Sequence, residues 1–120
     1  MTFVDPIAGT LAGFTAGLRP EQVPPEVSLR ARHLMLDAIG CAMAAVREDF
    51  AARFAASLRA LAGGSAGDTG VIGSSQRLPL RDALMQNGVL THGLDYDDTH
   101  MAGVVHLTVS ILPAVLGVGA

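Results

Sequence analysis

Residues 24–42, PPEVSLRARHLMLDAIGCA, decide the fold class. Proline fits the first turn of a helix, and the carboxylate of Glu26 favours a helix N-terminus. Apolar residues then recur at three- and four-residue spacings, and beyond Leu34 the segment is nearly apolar. The pattern predicts a helix in the core, with Asp37 as the one charge inside its apolar half.

Helical patterns continue on both sides of this segment. We predict one helix from an Asp5 cap to Arg19-Pro20, one capped by Asp49 and stopped by Gly63-Gly64, one from about Leu80 to Leu94, and one from about His106 to Val118. The stretch between Gly63 and Gly73 reads as a loop in which residues 70–73 could form one very short strand. The expected fold is all-α, with about five helices.

Composition narrows the function classes. The chain has 120 residues, the size of one domain, and half of them are hydrophobic. Its formal net charge is -3, and all eight cationic side chains are arginines, so we expect no nucleic-acid partner. A single cysteine, Cys41, excludes an intrachain disulfide and a thiolate metal cage, and it favours a cytoplasmic location.

The most apolar segment, residues 104–120, approaches the length of a membrane span. His106, Thr108, Ser110 and Pro113 interrupt it, so we predict a buried helix and no membrane partner. Ala120 falls inside this apolar run without a polar last turn. From that we expect either a truncated chain or a helix that a partner segment covers.

Polar chemistry concentrates between His92 and His106. Three of the four histidines and three carboxylates lie within these 15 residues. If a helix persists beyond His92, then Asp95 shares its face, and Thr99 shares the face of Asp95. A carboxylate beside an imidazole suits general acid-base catalysis near neutral pH, and His106 would enter a partly desolvated place at a helix start.

Other interpretations of these residues stay open. Asp97 and Asp98 could be helix caps or turn residues, an interpretation that we favour for Asp97, and His106 could be a capping or core histidine. A divalent metal held by His92, Asp95 and Asp98 is a rival chemistry, because imidazole and carboxylate suit Mg²⁺, Mn²⁺ or Zn²⁺. The pattern matches neither H-E-x-x-H nor an EF-hand loop, and no phosphate-binding glycine loop is present.

The order of these residues resembles the hallmark stretch of the MmgE/PrpD family. The matching elements are Asn87-Gly88, His92-Gly93-Leu94-Asp95-Tyr96-Asp97-Asp98-Thr99-His100, His106 and Pro113-Ala114, with support from residues 36–41 and 71–73. That family includes 2-methylcitrate dehydratase, cis-aconitate decarboxylase and iminodisuccinate epimerase. Its members have a large helical domain joined to a smaller α/β lid, so the resemblance implies that residues 1–120 are the first part of the helical domain.

The resemblance also implies roles. Asp95 and His106 would be catalytic, while Thr99 and His92 would bind substrate, in a homodimeric lyase or isomerase that acts on a small polycarboxylate without metal or other cofactor. Leu107 stands where the family usually has proline, a departure at the entry of the last helix. Because the chain contains no lysine, it offers few cations for a polycarboxylate, and we expect it to be inactive alone. The alternative is a non-enzymatic helical module that self-associates through residues 104–120.

Overall fold

The computed structural model describes residues 6–119, in which five α-helices and one two-stranded sheet alternate with short loops. The all-α prediction is confirmed. The elements are α1 (Pro6–Gly17), a 3₁₀ turn (Pro20–Gln22), α2 (Pro25–Ala45), α3 (Asp49–Ala62), β1 (Thr69–Gly70), β2 (Arg77–Leu78), α4 (Leu80–His92) and α5 (Thr108–Val118). The chain divides into two compact units, with the boundary between Arg32 and His33.

The first unit contains α1, the 3₁₀ turn and the start of α2. Helix α1 ends at Gly17, just before the Arg19-Pro20 stop that the sequence predicts. The predicted cap at Asp5 lies outside the described residues. After the helix, the backbone N–H of Arg19 donates to the side-chain oxygen of Gln22 at 2.9 Å, which satisfies an amide that the short 3₁₀ turn leaves free.

The second unit is built around α4, which packs against α3, α5 and the sheet. Its core consists largely of small and branched apolar residues: Ala42, Ala45, Ala51, Val71, Leu78, Ala83 and Leu90. Alanines let the helices approach closely. Helix α2 contributes one face to this core, whereas Met35, Leu36 and Met43 are exposed. The prediction of a wholly buried apolar half of α2 is therefore correct for one face only.

The small sheet joins two segments that flank a turn. Strands β1 and β2 are antiparallel, with Thr69 opposite Leu78 and Gly70 opposite Arg77. The predicted strand at 70–73 was misplaced, and its partner β2 was missed, because two-residue strands carry almost no periodic signal. Buried Asn87 ties this hairpin to α4: its side-chain oxygen accepts from Ile72 N–H at 2.9 Å, and its amide donates to Gly70 O at 3.1 Å.

Helix ends differ from prediction by one or two residues. Glu48, rather than Asp49, occupies the N-cap position of α3, and Asp49 lies in the first turn, where its charge still opposes the helix dipole. Gly63 ends α3 in the left-handed conformation (φ 58°), as its predicted stop requires. Helix α4 ends at His92 rather than Leu94, and α5 begins at Thr108 rather than His106. His92 and His106 therefore flank the long connection between these two helices.

Within residues 6–119, none of the helices combines the length and the apolar character that crossing a membrane requires.

Candidate active site

The connection from α4 to α5, residues 93–107, begins with a close-packed turn. A Cβ added to Gly93 would lie 2.3 Å from Cζ of Phe50, so the residue after the helix must lack a side chain. Asp95 then takes a left-handed conformation (φ 56°), which aspartate tolerates better than most residues. Its N–H donates to His92 O at 2.8 Å. The helix thus stops, and the chain turns back past the side chain of His92.

Hydrogen bonds around His100, which we call the clasp at His100, then return the chain toward α5. The N–H of His100 donates to Val105 O at 2.8 Å, and the N–H of Gly103 donates to the ring Nδ1 of His100 at 3.0 Å. Val104 adopts φ 50°, a left-handed conformation that is costly for a β-branched residue. This strained turn places His106 beside the residues that follow α4. His100 therefore shapes the loop rather than joining the polar cluster.

The carboxylate of Asp97 bridges two histidines. Its side chain is 0% exposed, and Oδ1 lies 2.9 Å from His92 Nδ1, while Oδ2 lies 3.4 Å from His106 Nδ1. The two imidazole rings meet edge to face, with centroids 4.8 Å apart. An ionised carboxylate can only accept, so a hydrogen bond to ionised Asp97 requires a proton on Nδ1 of His92 and leaves Nε2 for proton exchange.

His106 lies between two carboxylates. On the side away from Asp97, its Nε2 is 3.7 Å from Oδ1 of Asp95, whose side chain is 80% exposed. One carboxylate is buried and the other faces solvent. We call His92, Asp95, Asp97 and His106 the His-Asp cluster. The arrangement suits proton transfer, because a buried acceptor orients the imidazoles while a solvent-facing carboxylate remains accessible to a reactant.

Comparison with known proteins agrees with the order of these residues. Residues 9–120 match the family model described as the MmgE/PrpD N-terminal domain. The chain belongs to the MmgE/PrpD family. It is 28% identical over 108 residues to the cis-aconitate decarboxylase-like protein oryM of Aspergillus oryzae, and 27% identical over 109 residues to cis-aconitate decarboxylase of Aspergillus terreus.

These alignments cover 90% and 91% of this chain but 22% of each relative. The chain therefore spans about a fifth of the length of the curated relatives that it matches. No solved structure matches it. Family membership and the likeness to decarboxylase-like proteins thus rest on sequence, while the geometry of the cluster comes from the fold described above.

The structure brings together three of the four residues to which the MmgE/PrpD resemblance assigns roles: His92, Asp95 and His106. Thr99 is exposed, and the structure gives it no hydrogen bond to the His-Asp cluster among the described contacts. The expectation of a shared helical face for Asp95 and Thr99 is wrong, because α4 ends at His92. The substrate-binding role of Thr99 stays a prediction.

Sequence reasoning missed Asp97. Asp97 does lie in a bend of the loop, as the turn interpretation predicts, but that interpretation did not foresee that its carboxylate is buried and faces two imidazoles. Asp97 lies two residues beyond Asp95, but the left-handed turn at Asp95 breaks the alternation of an extended chain, so no periodic signal points to Asp97. The burial of Asp97 could not be predicted from the neighbouring residues, because it depends on packing between parts of the chain that are distant in sequence.

The structure changes the set of residues that could bind a metal ion. The described group with metal-ligating potential is His92, Asp95, Asp97 and His106, which offer one ligand atom each within 4.8 Å of one another. Asp98, which the sequence suggested as a ligand, lies outside this group. Asp97 rather than Asp98 belongs to the group because its buried carboxylate faces both imidazoles.

Cys41 on α2 lies close enough to the site to feel its charge. Burial, together with the negative charges of Asp37 and Asp97, raises the pKa of the Cys41 thiol. A raised pKa keeps the thiol protonated near neutral pH, and the thiolate is the nucleophilic form. Cys41 is therefore unsuited to nucleophilic catalysis in the described structure.

Arg81, the cation nearest to the motif in sequence, is engaged elsewhere. Its Nε donates to Oδ1 of buried Asp82 at 2.7 Å, and this hydrogen bond raises the pKa of the Arg81 guanidinium. Among residues 6–119, no arginine forms an ion pair with the carboxylates of the His-Asp cluster. The described part of the site is therefore anionic unless its histidines are protonated.

Proposed function

We propose that this chain supplies the acid-base side of the active site of a lyase that acts on a small polycarboxylate. One observation carries the proposal: His106 lies between buried Asp97 and exposed Asp95, and Asp97 also holds His92. Membership of the MmgE/PrpD family and the likeness to proteins named as cis-aconitate decarboxylases support this class of reaction.

The chemistry that we propose is proton transfer at a carbon next to a carboxylate. In a decarboxylation, the bond to the departing carboxylate breaks, carbon dioxide leaves, and the electron pair that stays on carbon takes a proton from Nε2–H of His106. In a dehydration, a basic group of the pair Asp95–His106 removes the proton, and hydroxide leaves from the neighbouring carbon. An epimerase would remove a proton from one face of such a carbon and return a proton to the opposite face, so all three branches need a proton-transfer group beside the carbon.

Each member of the cluster has a distinct task in this proposal. His106 and Asp95 exchange the proton, because the 3.7 Å between their facing atoms leaves the imidazole nitrogen accessible from the solvent side. Asp97 positions both rings. In its doubly protonated form, His92 donates from Nδ1–H to Asp97 and from Nε2–H to a substrate carboxylate, and the exposed hydroxyl of Thr99 offers a further donor.

The substrate's negative charges need cations that the described cluster does not contain. Arginine and lysine are the side chains that balance carboxylates most effectively, and the chain has no lysine. We therefore propose that residues 1–120 alone are inactive, and that further parts of a longer, homodimeric cytoplasmic enzyme complete the site. The dimer and the location rest on the family resemblance.

One observation favours the non-enzymatic alternative. Ile111, Val115 and Val118 are exposed on α5 at spacings that place them on one helical face. A second copy of the chain could cover such a face in a helical self-association module. Size-exclusion chromatography combined with light scattering tests this: a dimer that Ile111→Glu converts to monomer, in a protein without turnover, would support the alternative.

Turnover in deuterium oxide tests the leading proposal. The longest natural reading frame that carries this chain would be incubated with cis-aconitate or 2-methylcitrate, and proton NMR would follow deuterium incorporation beside a carboxylate. We expect Asp95→Asn and His106→Gln each to reduce kcat at least about 100-fold, the usual contribution of a general acid or base. His33→Gln, an exposed histidine on α2, is the matched control and should retain activity. Wild-type rates in either cluster variant would remove that residue from the mechanism.

A further inference from the structure

Two buried atoms of the His-Asp cluster face each other without a hydrogen bond. Oδ2 of Asp97 and Nδ1 of His106 are both buried, and neither has a hydrogen-bond partner in the described structure, although they are 3.4 Å apart. Buried polar atoms are normally paired, so an unpaired facing couple calls for an explanation. A cation between a carboxylate oxygen and an imidazole nitrogen would satisfy both atoms.

The spacing of the cluster fits a particular cation geometry. Zn²⁺ binds imidazole nitrogen and carboxylate oxygen at about 2.0–2.2 Å in a tetrahedron, which places neighbouring ligand atoms roughly 3.3–3.6 Å apart. The 3.4 Å between Nδ1 of His106 and Oδ2 of Asp97 falls within that range. The 3.7 Å contact of Asp95 is made to Nε2, the opposite nitrogen of the ring, so Asp95 reaches an ion at Nδ1 only after its side chain turns. All four residues offer one ligand atom within 4.8 Å of the others.

We propose that the His-Asp cluster is a binding site for one Zn²⁺ ion. Two imidazoles and two carboxylates form a mixed nitrogen and oxygen donor set, which suits Zn²⁺ better than Mg²⁺ or Ca²⁺, since these ions prefer oxygen alone. Asp97 is fixed by burial and orients His92 through Oδ1. Asp95 faces the other nitrogen of His106, but its side chain is 80% exposed and is free to turn toward an ion at Nδ1.

Zinc bound here is an inhibitor rather than a cofactor. An ion held by Nδ1 of His106 and by the carboxylate of Asp95 removes that carboxylate from proton exchange and makes the remaining ring nitrogen, Nε2, less basic, so an occupied site loses its acid-base function. This consequence rests on the proposed function, whereas binding itself rests on the donor atoms alone. Measurement of binding without turnover therefore separates a failure of the zinc proposal from a failure of the proposed reaction.

Isothermal titration of zinc chloride into the full chain at neutral pH tests the site directly. We expect one Zn²⁺ per chain, with no saturable binding of magnesium chloride at the same concentrations. His106→Gln and Asp95→Asn should each weaken Zn²⁺ binding at least tenfold, whereas His33→Gln, which removes an exposed histidine outside the cluster, should leave affinity within about twofold. Asp95 is exposed, so its variant keeps the test independent of folding.

X-ray absorption at the zinc edge supplies a second readout. The proposal expects a four-coordinate ion with nitrogen and oxygen ligands, two of them imidazoles, in the wild-type chain, and one imidazole fewer in His106→Gln. It is overturned if Zn²⁺ does not bind saturably, or if both cluster variants retain wild-type affinity. A sulfur ligand would also overturn it, because it would place the ion at Cys41.

Discussion

Oδ1 of Asp97 lies 2.9 Å from Nδ1 of His92, and the carboxylate that makes this contact is fully enclosed. The pair joins the last residue of α4 to the loop that follows it. The second oxygen of the same carboxylate faces His106, at the far end of that loop. One buried side chain therefore organises both histidines, and removing its charge should change their protonation pattern as well as stability.

For Asp97→Asn we expect a mixture of His92 tautomers, whereas for the wild-type chain we expect the proton on Nδ1. The amide cannot serve as a charged acceptor for both rings, and the weaker contacts should lower the free energy of unfolding by about 1–3 kcal/mol. Imidazole ¹⁵N shifts report the tautomer, and urea unfolding reports the stability. Asp98→Asn, which changes a neighbour outside the cluster, should alter neither measurement. Unchanged ¹⁵N shifts in Asp97→Asn would contradict the positioning role.

Two glycines of similar sequence context should respond to alanine in opposite directions. A Cβ at Gly93 would lie 2.3 Å from Phe50 Cζ and 2.7 Å from Val89 O, so Gly93→Ala should destabilise the fold by about 1–3 kcal/mol. Gly88 lies inside α4, and the nearest atom to an added Cβ is Val109 O at 4.0 Å. Gly88→Ala should therefore stabilise by up to about 1 kcal/mol, because alanine favours the helix. Thermal unfolding of both variants checks the pair, and equal melting temperatures would refute it.

Asn87→Ala should detach the hairpin from α4. The substitution removes an acceptor for Ile72 N–H and a donor to Gly70 O, and it leaves both backbone groups unpaired in a part-buried place. We expect a loss of about 2–4 kcal/mol, from two hydrogen bonds whose partners stay behind. Amide hydrogen exchange at Ile72 should be faster in Asn87→Ala than in the wild-type chain. Gln76→Ala, at an exposed position of the same hairpin, is the control and should change stability by less than about 0.5 kcal/mol.

Labelling of Cys41 should be slow at neutral pH. Burial first, and then the charges of Asp37 and Asp97, raises the pKa of the thiol, so the reactive thiolate is scarcer in the folded chain than in an unfolded one. Alkylation by iodoacetamide should therefore reach half its maximal rate at a higher pH in the native chain than in urea. Asp37→Asn should shift that native profile toward lower pH, while Asp49→Asn on α3 should not. A native profile below the unfolded one would reverse the sign and contradict the prediction.

Much of the helical order follows from local sequence. The proline at the start of α2, the glycine at the end of α3 and the apolar spacings between them act within one or two turns, so they predict helices without knowledge of the fold. The errors concern helix ends, the two-residue strands, the short 3₁₀ turn and the exposed face of α2. There the deciding contacts, such as those of Asn87 with the hairpin, join residues that are 15 and 17 positions apart.

The same division holds for the candidate site. Chain order alone identifies the segment His92 to His106 and its resemblance to the MmgE/PrpD family, because residue types and spacings are properties of the sequence. Only the tertiary structure distinguishes Asp97 from Asp98, because burial depends on the loop that turns at Asp95 and returns through the clasp at His100. The role of a carboxylate depends on its burial and on the atoms that it faces. Both are set by packing across the fold rather than by the neighbouring residues in the chain.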